Sequence, residues 1–241
     1  SQLAAAQSEF SLEVKKSAKI LLEEIRGRVT IKNHDQAKLI VQASGYSRPE
    51  KSKGLMAISG NGVDNTMIGL EKSEIDGQIK FTSTTRKGGD YTFFVPKGIA
   101  LKLHNSTYYS KTIEVYGFDS ELEIKATYGK VYLEDVTGPV ILDATYGAVN
   151  GHFVKINQEQ PSSIISAYGE IDITLPANTA ADLNLESSYG DIYTDFDVKM
   201  ESRDGDMEKI SMKEIRGNIN GGGVELSLRS PYKNIYLRKG Q

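Results

Sequence analysis

Carboxylates are the side chains best placed to do chemistry in this sequence. Glu134, Asp135, Asp143, Glu170, Asp172, Asp191, Asp195 and Asp197 fall within one stretch of the chain. Two of them facing each other across a bound sugar would supply the acid and the base or nucleophile of a glycosidase. Their neighbours point elsewhere. Ile171 and Ile173 alternate with Glu170, Asp172 and Thr174, the period of a half-buried strand. The acids therefore take the outward phase of strands whose other face lies in a core. Such a face is solvated and discourages edge pairing. No catalytic residue is assigned, and the expectation is a protein that is not an enzyme.

The remaining reactive types are scattered. His34, His104 and His152 lie far apart without metal-ligand spacing, and His104 takes an outward strand position. Asp204-Gly205-Asp206 has too few ligands for a calcium loop and is expected to be a polar turn. There is no Gly-x-Ser-x-Gly, phosphate loop or dinucleotide fingerprint. With no cysteine, disulfides and thiolate sites are excluded. The expectation is no metal and no cofactor.

Tyrosine is the aromatic residue of choice: 13 Tyr stand beside 7 Phe and no Trp. Four of them sit in one recurring phrase: Ala126-Thr127-Tyr128-Gly129, Ala144-Thr145-Tyr146-Gly147, Ser166-Ala167-Tyr168-Gly169 and Ser187-Ser188-Tyr189-Gly190. Glycine to glycine, the spacings are 18, 22 and 21 residues. Aligned on Tyr, Ile124, Leu142, Ile164 and Leu185 stand four residues before it, and Val131, Val149, Ile171 and Ile192 three residues after. Arg26-Gly27 and Arg216-Gly217 fit the same frame with Arg in place of Tyr.

Two short strands per unit of about 20 residues suit the coil of a β-solenoid. The expected fold is all-β, a right-handed parallel β-helix or β-solenoid. The alternative is an antiparallel meander or sandwich, but a bulky Tyr before Gly is a poor hairpin turn. In the solenoid, Tyr128, Tyr146, Tyr168 and Tyr189 stack as an internally packed ladder. Gly129, Gly147, Gly169 and Gly190 supply the backbone freedom of a corner. Tyr108, Tyr109, Tyr132 and Tyr193 lie outside the frame and are the candidates for a surface binding site.

The elements that carry these residues run the length of the chain. Phe10, Leu12 and Val14 alternate with polar residues, and Ile20 to Ile31 and Leu39 to Val41 continue as strands. Ser47 to Asn65 has loop composition interrupted by Leu55-Met56-Ala57-Ile58. Ile75 to Thr82 and Tyr91 to Val95 read as a hairpin closed by Arg86-Lys87-Gly88-Gly89-Asp90. Leu101 and Leu103, Leu122 and Ile124, Leu183 and Leu185, and Val224, Leu226 and Leu228 all alternate with polar partners, and no helical period competes. The expectation is one elongated domain over residues 1–241, with an irregular or hairpin-containing insertion around 46–95.

The net charge of −3 gives no general attraction for phosphate backbones, so nucleic acid is not an expected partner. No run approaches the roughly 18 apolar residues of a membrane helix. The opening Ser1-Gln2-Leu3-Ala4-Ala5-Ala6-Gln7 lacks the segments of a signal peptide, and its alanines suit the remnant of a cleavage region and an ordinary frayed terminus equally.

The early strand–Gly–strand unit from Ile25 to Ile31 is followed by Tyr91 to Val95, Pro96-Lys97-Gly98-Ile99-Ala100-Leu101 and the Tyr-Gly units. Over residues 18–228 this pattern resembles a bacterial family of exported proteins of unknown function, common in Bacteroidetes and described as putative adhesins. The resemblance implies a right-handed β-solenoid and export to the periplasm, the outer-membrane surface or the medium. It carries over no functional residue. Together these features lead to the expectation of a non-enzymatic cell-envelope protein whose solenoid surface serves adhesion or the binding of a surface glycan or protein. The alternatives are a polysaccharide-active β-helix enzyme and a purely structural module.

Overall fold

The computed structural model describes residues 8–86, 88–200 and 213–240. In chain order the strands are β1 (Ser8–Glu13), β2 (Lys19–Glu23), β3 (Gly27–His34), β4 (Lys38–Ser44), β5 (Ala57–Ser59), β6 (Gly62–Asp64), β7 (Leu70–Ile75) and β8 (Gln78–Ser83). They continue as β9 (Asp90–Pro96), β10 (Ala100–Asn105), β11 (Ser110–Tyr116), β12 (Leu122–Ala126), β13 (Val131–Val136), β14 (Val140–Ala144), β15 (Val149–Phe153) and β16 (Ser162–Ser166). The last are β17 (Ile171–Pro176), β18 (Ala181–Ser187), β19 (Ile192–Thr194), β20 (Lys199–Met200), β21 (Lys213–Ile219), β22 (Glu225–Arg229) and β23 (Ile235–Gly240). Among the described residues no helix is long and apolar enough to cross a membrane.

The fold is all-β, a solenoid of two long mixed sheets. The first has the order β1-β4-β9-β3-β11-β13-β15-β17-β23-β19, and the second β20-β21-β18-β22-β16-β14-β12-β10-β2-β8-β7. Each coil gives one strand to each sheet, and neighbouring coils pair in parallel through the middle of the molecule. The apolar frame of the sequence becomes two stacked columns. In the second sheet Leu22, Leu103, Ile124, Leu142, Ile164, Leu228 and Leu185 lie side by side. In the first sheet Val29, Ile113, Val131, Val149, Ile171, Ile235 and Ile192 do the same. The two columns face each other across the interior, and all but the half-buried Ile192 are within 1% of complete burial.

The spatial order of coils departs from chain order at both ends. The β8–β9 coil packs outside β2–β3, although it follows in sequence. The C-terminal β22–β23 coil inserts between β16–β17 and β18–β19. Antiparallel strands then close the stack: β4 on β9, β1 on β4 and β7 on β8 at one end, β21 on β18 and β20 on β21 at the other. At the first end the aliphatic columns give way to larger rings, with Phe81 5.8 Å from Phe93 and 6.0 Å from Phe10. Capping of this kind is what a stack of repeats needs, since its last coil otherwise leaves apolar surface in water.

Two local expectations are corrected. Thr84, Thr85, Arg86, Gly88 and Gly89 do not close a hairpin, because β8 and β9 belong to different sheets and each pairs in parallel with a strand of the β2–β3 coil. They form a corner instead, with Gly89 donating its N–H to the Arg26 carbonyl at 3.3 Å. Arg216-Gly217 is not a corner. Both residues lie inside β21, opposite Asn184 and Leu183 of β18. Their resemblance to Arg26-Gly27 is local and does not extend to their place in the fold. Met212, which completes that frame, and Asp204-Gly205-Asp206 lie outside the described residues.

Candidate functional site

Each Tyr-Gly phrase is the corner where the chain leaves the second sheet for the first. The residue two before Tyr closes the strand and points inward. Ala126, Ala144, Ser166, Ser230 and Ser187 form one buried column there, which Asn105 at the end of β10 continues. The serines tie neighbouring corners together. Ser166 Oγ donates to the Gly147 carbonyl at 2.8 Å and accepts the Gly169 N–H at 3.0 Å. Ser187 does the same with the Lys233 carbonyl and the Gly190 N–H, at 3.2 and 3.0 Å. At Ser166 and Ser187 the small residue therefore holds neighbouring corners together.

Glycine is needed for a reason the sequence does not display. Gly129 has φ +92°, but Gly147, Gly169 and Gly190 lie outside the left-handed region. A Cβ on Gly147 would stand 1.8 Å from the Gly129 carbonyl oxygen, and one on Gly169 2.3 Å from that of Gly147. A Cβ on Gly190 would meet the Lys233 carbonyl oxygen at 2.1 Å. Successive corners stack so closely that a side chain has nowhere to go.

The tyrosines do form a ladder, but on the outside. Tyr128, Tyr146, Tyr168, Tyr232 and Tyr189 stack with centroid spacings of 5.5, 5.3, 4.8 and 5.3 Å and interplanar angles of 20° or less. Tyr146 is 56% exposed and Tyr168 47%, which overturns the expectation of internal packing. The inward phase ends at Ala126 and restarts at Val131, so the ring between them is turned out by the corner. Tyr232 was missed because Lys233, not Gly, follows it, and because the last coil inserts out of chain order. Tyr108 continues the row edge-on to Tyr128 at 5.7 Å, and Tyr109 lies under the Arg26 guanidinium at 5.5 Å. Within the ladder the ring faces cover one another, so it shows edges and hydroxyls to solvent.

The outer face of the first sheet is built differently. Tyr132 of β13, Asn150 of β15, Asp172 of β17, Tyr236 of β23 and Tyr193 of β19 are lateral neighbours on adjoining strands. At the ~4.8 Å spacing of paired strands, Tyr132 and Tyr236 stand about 14 Å apart. Tyr236 stacks on Tyr193 at 5.4 Å and 11°. Beside Tyr132 is a shallow depression of about 280 Å³, lined by Tyr132, Glu134, Asn150, His152, Asp172 and Arg238 among others; Arg238, not Tyr236, forms its β23 side. Asp172 accepts two hydrogen bonds from Arg238, at 2.7 and 2.9 Å, and the guanidinium lies 5.1 Å from the Tyr236 ring centre. That fork fixes both side chains in one geometry. Tyr236 went unrecognised, although Ile235-Tyr236-Leu237 has the same phase as Ile192-Tyr193-Thr194.

The acids of this face are engaged. His152 Nδ1 lies 3.0 Å from Asp135 and 3.4 Å from Glu134. Donor atoms of these three residues fall within 4.8 Å of one another, and His152 and Asp135 share a hydrogen bond at Nδ1. Asp195 accepts the Lys239 N–H at 2.8 Å. Asp191 pairs with Lys213, which holds its carboxyl below the usual range. Asp197 and Glu170 are exposed.

On the outer face of the second sheet charges neutralise one another. Glu123 receives Lys102, Lys125 and His104 at 2.5, 2.9 and 3.0 Å, and these contacts, Lys102 first, pull its carboxyl down to about 2. Asp143 borders a depression there with His104 and Lys125. His34 Nε2 contacts the Lys38 carbonyl at 2.7 Å, far from either depression.

Residues 10–227 match the family profile described as Toastrack DUF4097. Among solved structures the chain is similar to a "putative cell adhesion protein" from Clostridium sporogenes, at 12% identity and a TM-score of 0.48 over 98% of this chain and 100% of that one. It is also similar to a "putative adhesin" from Bacteroides fragilis, at 11% identity and a TM-score of 0.34 over 97% of each chain. A third, a "putative adhesin" from Parabacteroides distasonis, shows 8% identity and a TM-score of 0.36, again over 97% of each. No curated protein matches the chain.

Proposed function

The chain belongs to the Toastrack DUF4097 family, and from that premise we propose that it is a non-enzymatic, adhesin-like protein of the cell envelope that binds a glycan on the outer face of its first sheet. The observation that carries this reading is the exposed Tyr132 ring on one side of a polar depression whose other side is the Asp172–Arg238 fork, with the stacked Tyr236–Tyr193 rings beyond Arg238 on the same face. Tyr132 is 39% exposed and Tyr193 50%, and among the described residues no other ring lies against Tyr132. Exposed aromatic faces stack on the apolar faces of sugar rings, and fixed polar groups between them select hydroxyl positions. Asn150 and the Asp172–Arg238 fork are such groups, offering donors and acceptors together.

The same logic separates Tyr132, which has no ring stacked on it among the described residues, from the ladder. Tyr128, Tyr146 and Tyr168 have their faces covered by one another and serve the corner. Tyr108, at 79% exposure, and Tyr109 flank the far end of that ladder and form a secondary surface for a protein partner. Carboxylate catalysis is the weaker reading: among the described residues, Asp35, Glu123 and Asp191 are carboxylates displaced from their ordinary range, and each is held down by a lysine. A general acid needs the opposite shift. Export, a right-handed winding and a single elongated domain belong to this same proposal.

A glycan-array screen of the whole protein tests it. Binding to a defined class of glycans, retained in the Tyr146→Ala variant, is the expected result. No glycan above background would remove the proposal.

A further inference from the structure

The segment Leu55-Met56-Ala57-Ile58 is absorbed neither by the solenoid nor by the glycan face. It leads into the two-stranded β5–β6 hairpin, which among the described residues pairs with no other strand. Such a ribbon has no core of its own. It is fastened at its base: the Arg48 guanidinium holds the Leu55 carbonyl and the Met67 sulfur, and Ser59 Oγ donates to the Thr84 carbonyl at 2.6 Å. The apolar side chains are left in water, with Leu55 61% exposed, Met56 57%, Ile58 80% and Met67 42%. Four successive exposed apolar residues are costly for solubility and mark a contact surface.

Charge identifies the occupant. Residues 47–64, the approach and both strands, contain Arg48, Lys51 and Lys53 against Glu50 and Asp64, three positive and two negative, a local +1 in a chain of net −3; Asp64 is buried, so Glu50 is the one acid among them at the surface. Lys51 and Lys53 are exposed, and among the described residues neither has an ion-pair partner. Two copies meeting hairpin to hairpin would oppose these lysines to each other. An apolar tip flanked by long basic side chains suits the boundary of an anionic bilayer, the tip entering the acyl region and the ammonium groups staying at the headgroups. We propose that the β5–β6 hairpin docks the protein on an anionic lipid surface, through Leu55, Met56 and Ile58 with Lys51 and Lys53.

Co-sedimentation with phosphatidylcholine vesicles, with and without phosphatidylglycerol, tests this on the full chain. The expected result is binding to the anionic vesicles and little to the neutral ones. Added salt should weaken it as the screening length falls from ~10 Å toward ~3 Å. Ile58→Ser should lower the partition coefficient about tenfold, and Lys51→Glu with Lys53→Glu on the order of a hundredfold. Thermal melting should be unchanged, because these side chains lie outside the core. No binding to anionic vesicles, or binding that Ile58→Ser and Leu55→Ser both leave intact, would overturn the proposal. So would hairpin-dependent dimerisation in light scattering without vesicle binding.

Discussion

Replacing Gly147 by alanine separates two explanations of the Tyr-Gly corner. If glycine served only a left-handed backbone, alanine would cost nothing here, because Gly147 is outside that region. It would even gain ~0.4–1 kcal/mol by restricting the unfolded chain. The stacked corners predict the opposite. The added Cβ falls 1.8 Å from the Gly129 oxygen, roughly 1.2 Å short of the closest contact real Cβ atoms make. Relief requires neighbouring coils to part at the corner. That stretches the Tyr146 N–H bond to Thr127, now 3.1 Å, and the Tyr168 N–H bond to Thr145, now 2.9 Å. Overpacking at ~1–3 kcal/mol together with about 1 kcal/mol for each weakened hydrogen bond gives a net loss near 3 kcal/mol. For a chain of this length that lowers the melting temperature by about 6–12 °C. The control is Gly98→Ala, where φ is +79° but no atom lies within 4 Å. It should cost about 1 kcal/mol from backbone strain alone. Melting followed by circular dichroism reads both. An unchanged or raised melting temperature for Gly147→Ala would refute the close-stacking account.

Other consequences follow from the same geometry. Ser166→Ala leaves the Gly147 carbonyl and the Gly169 N–H without their buried partner and should cost about 1–3 kcal/mol in denaturant unfolding. Tyr146→Ala removes an exposed, stacked ring and should cost about 1 kcal/mol, well below the ~3–5 kcal/mol of a buried aromatic. Glu123 titrates lower in the folded chain than in the unfolded one, so its contribution is complete above the ordinary carboxylate range. It is lost as pH falls from 4.5 toward about 2. Glu123→Gln should flatten that limb of the stability–pH curve.

The sequence frame located both apolar columns, because residues four before and three after each Tyr repeat with strand phase on either side of the bend. It also placed the corners at Gly27, Gly129, Gly147, Gly169 and Gly190. It could not place the rings, since strand phase does not carry through a corner: counting on from Ala126 would turn Tyr128 inward, and the bend turns it out. Nor could it reveal the out-of-order coils, because local pattern says which residues face a core and not which coil lies next. Tyr232 and Tyr236 were missed for that reason. Tyr132 and Tyr193 were legible as outward rings, but the depression beside Tyr132 is lined from four strands of the first sheet that come together only in the folded stack.

Calorimetric titration of a glycan selected on the array, with wild-type protein and the Tyr132→Ala variant, tests the proposed binding face most directly. Removing one stacking platform while leaving the fold intact should weaken binding by about tenfold or more, the loss of ~1.5 kcal/mol expected for an aromatic contact. Equal affinity for the two proteins would place the ligand somewhere other than the outer face of the first sheet.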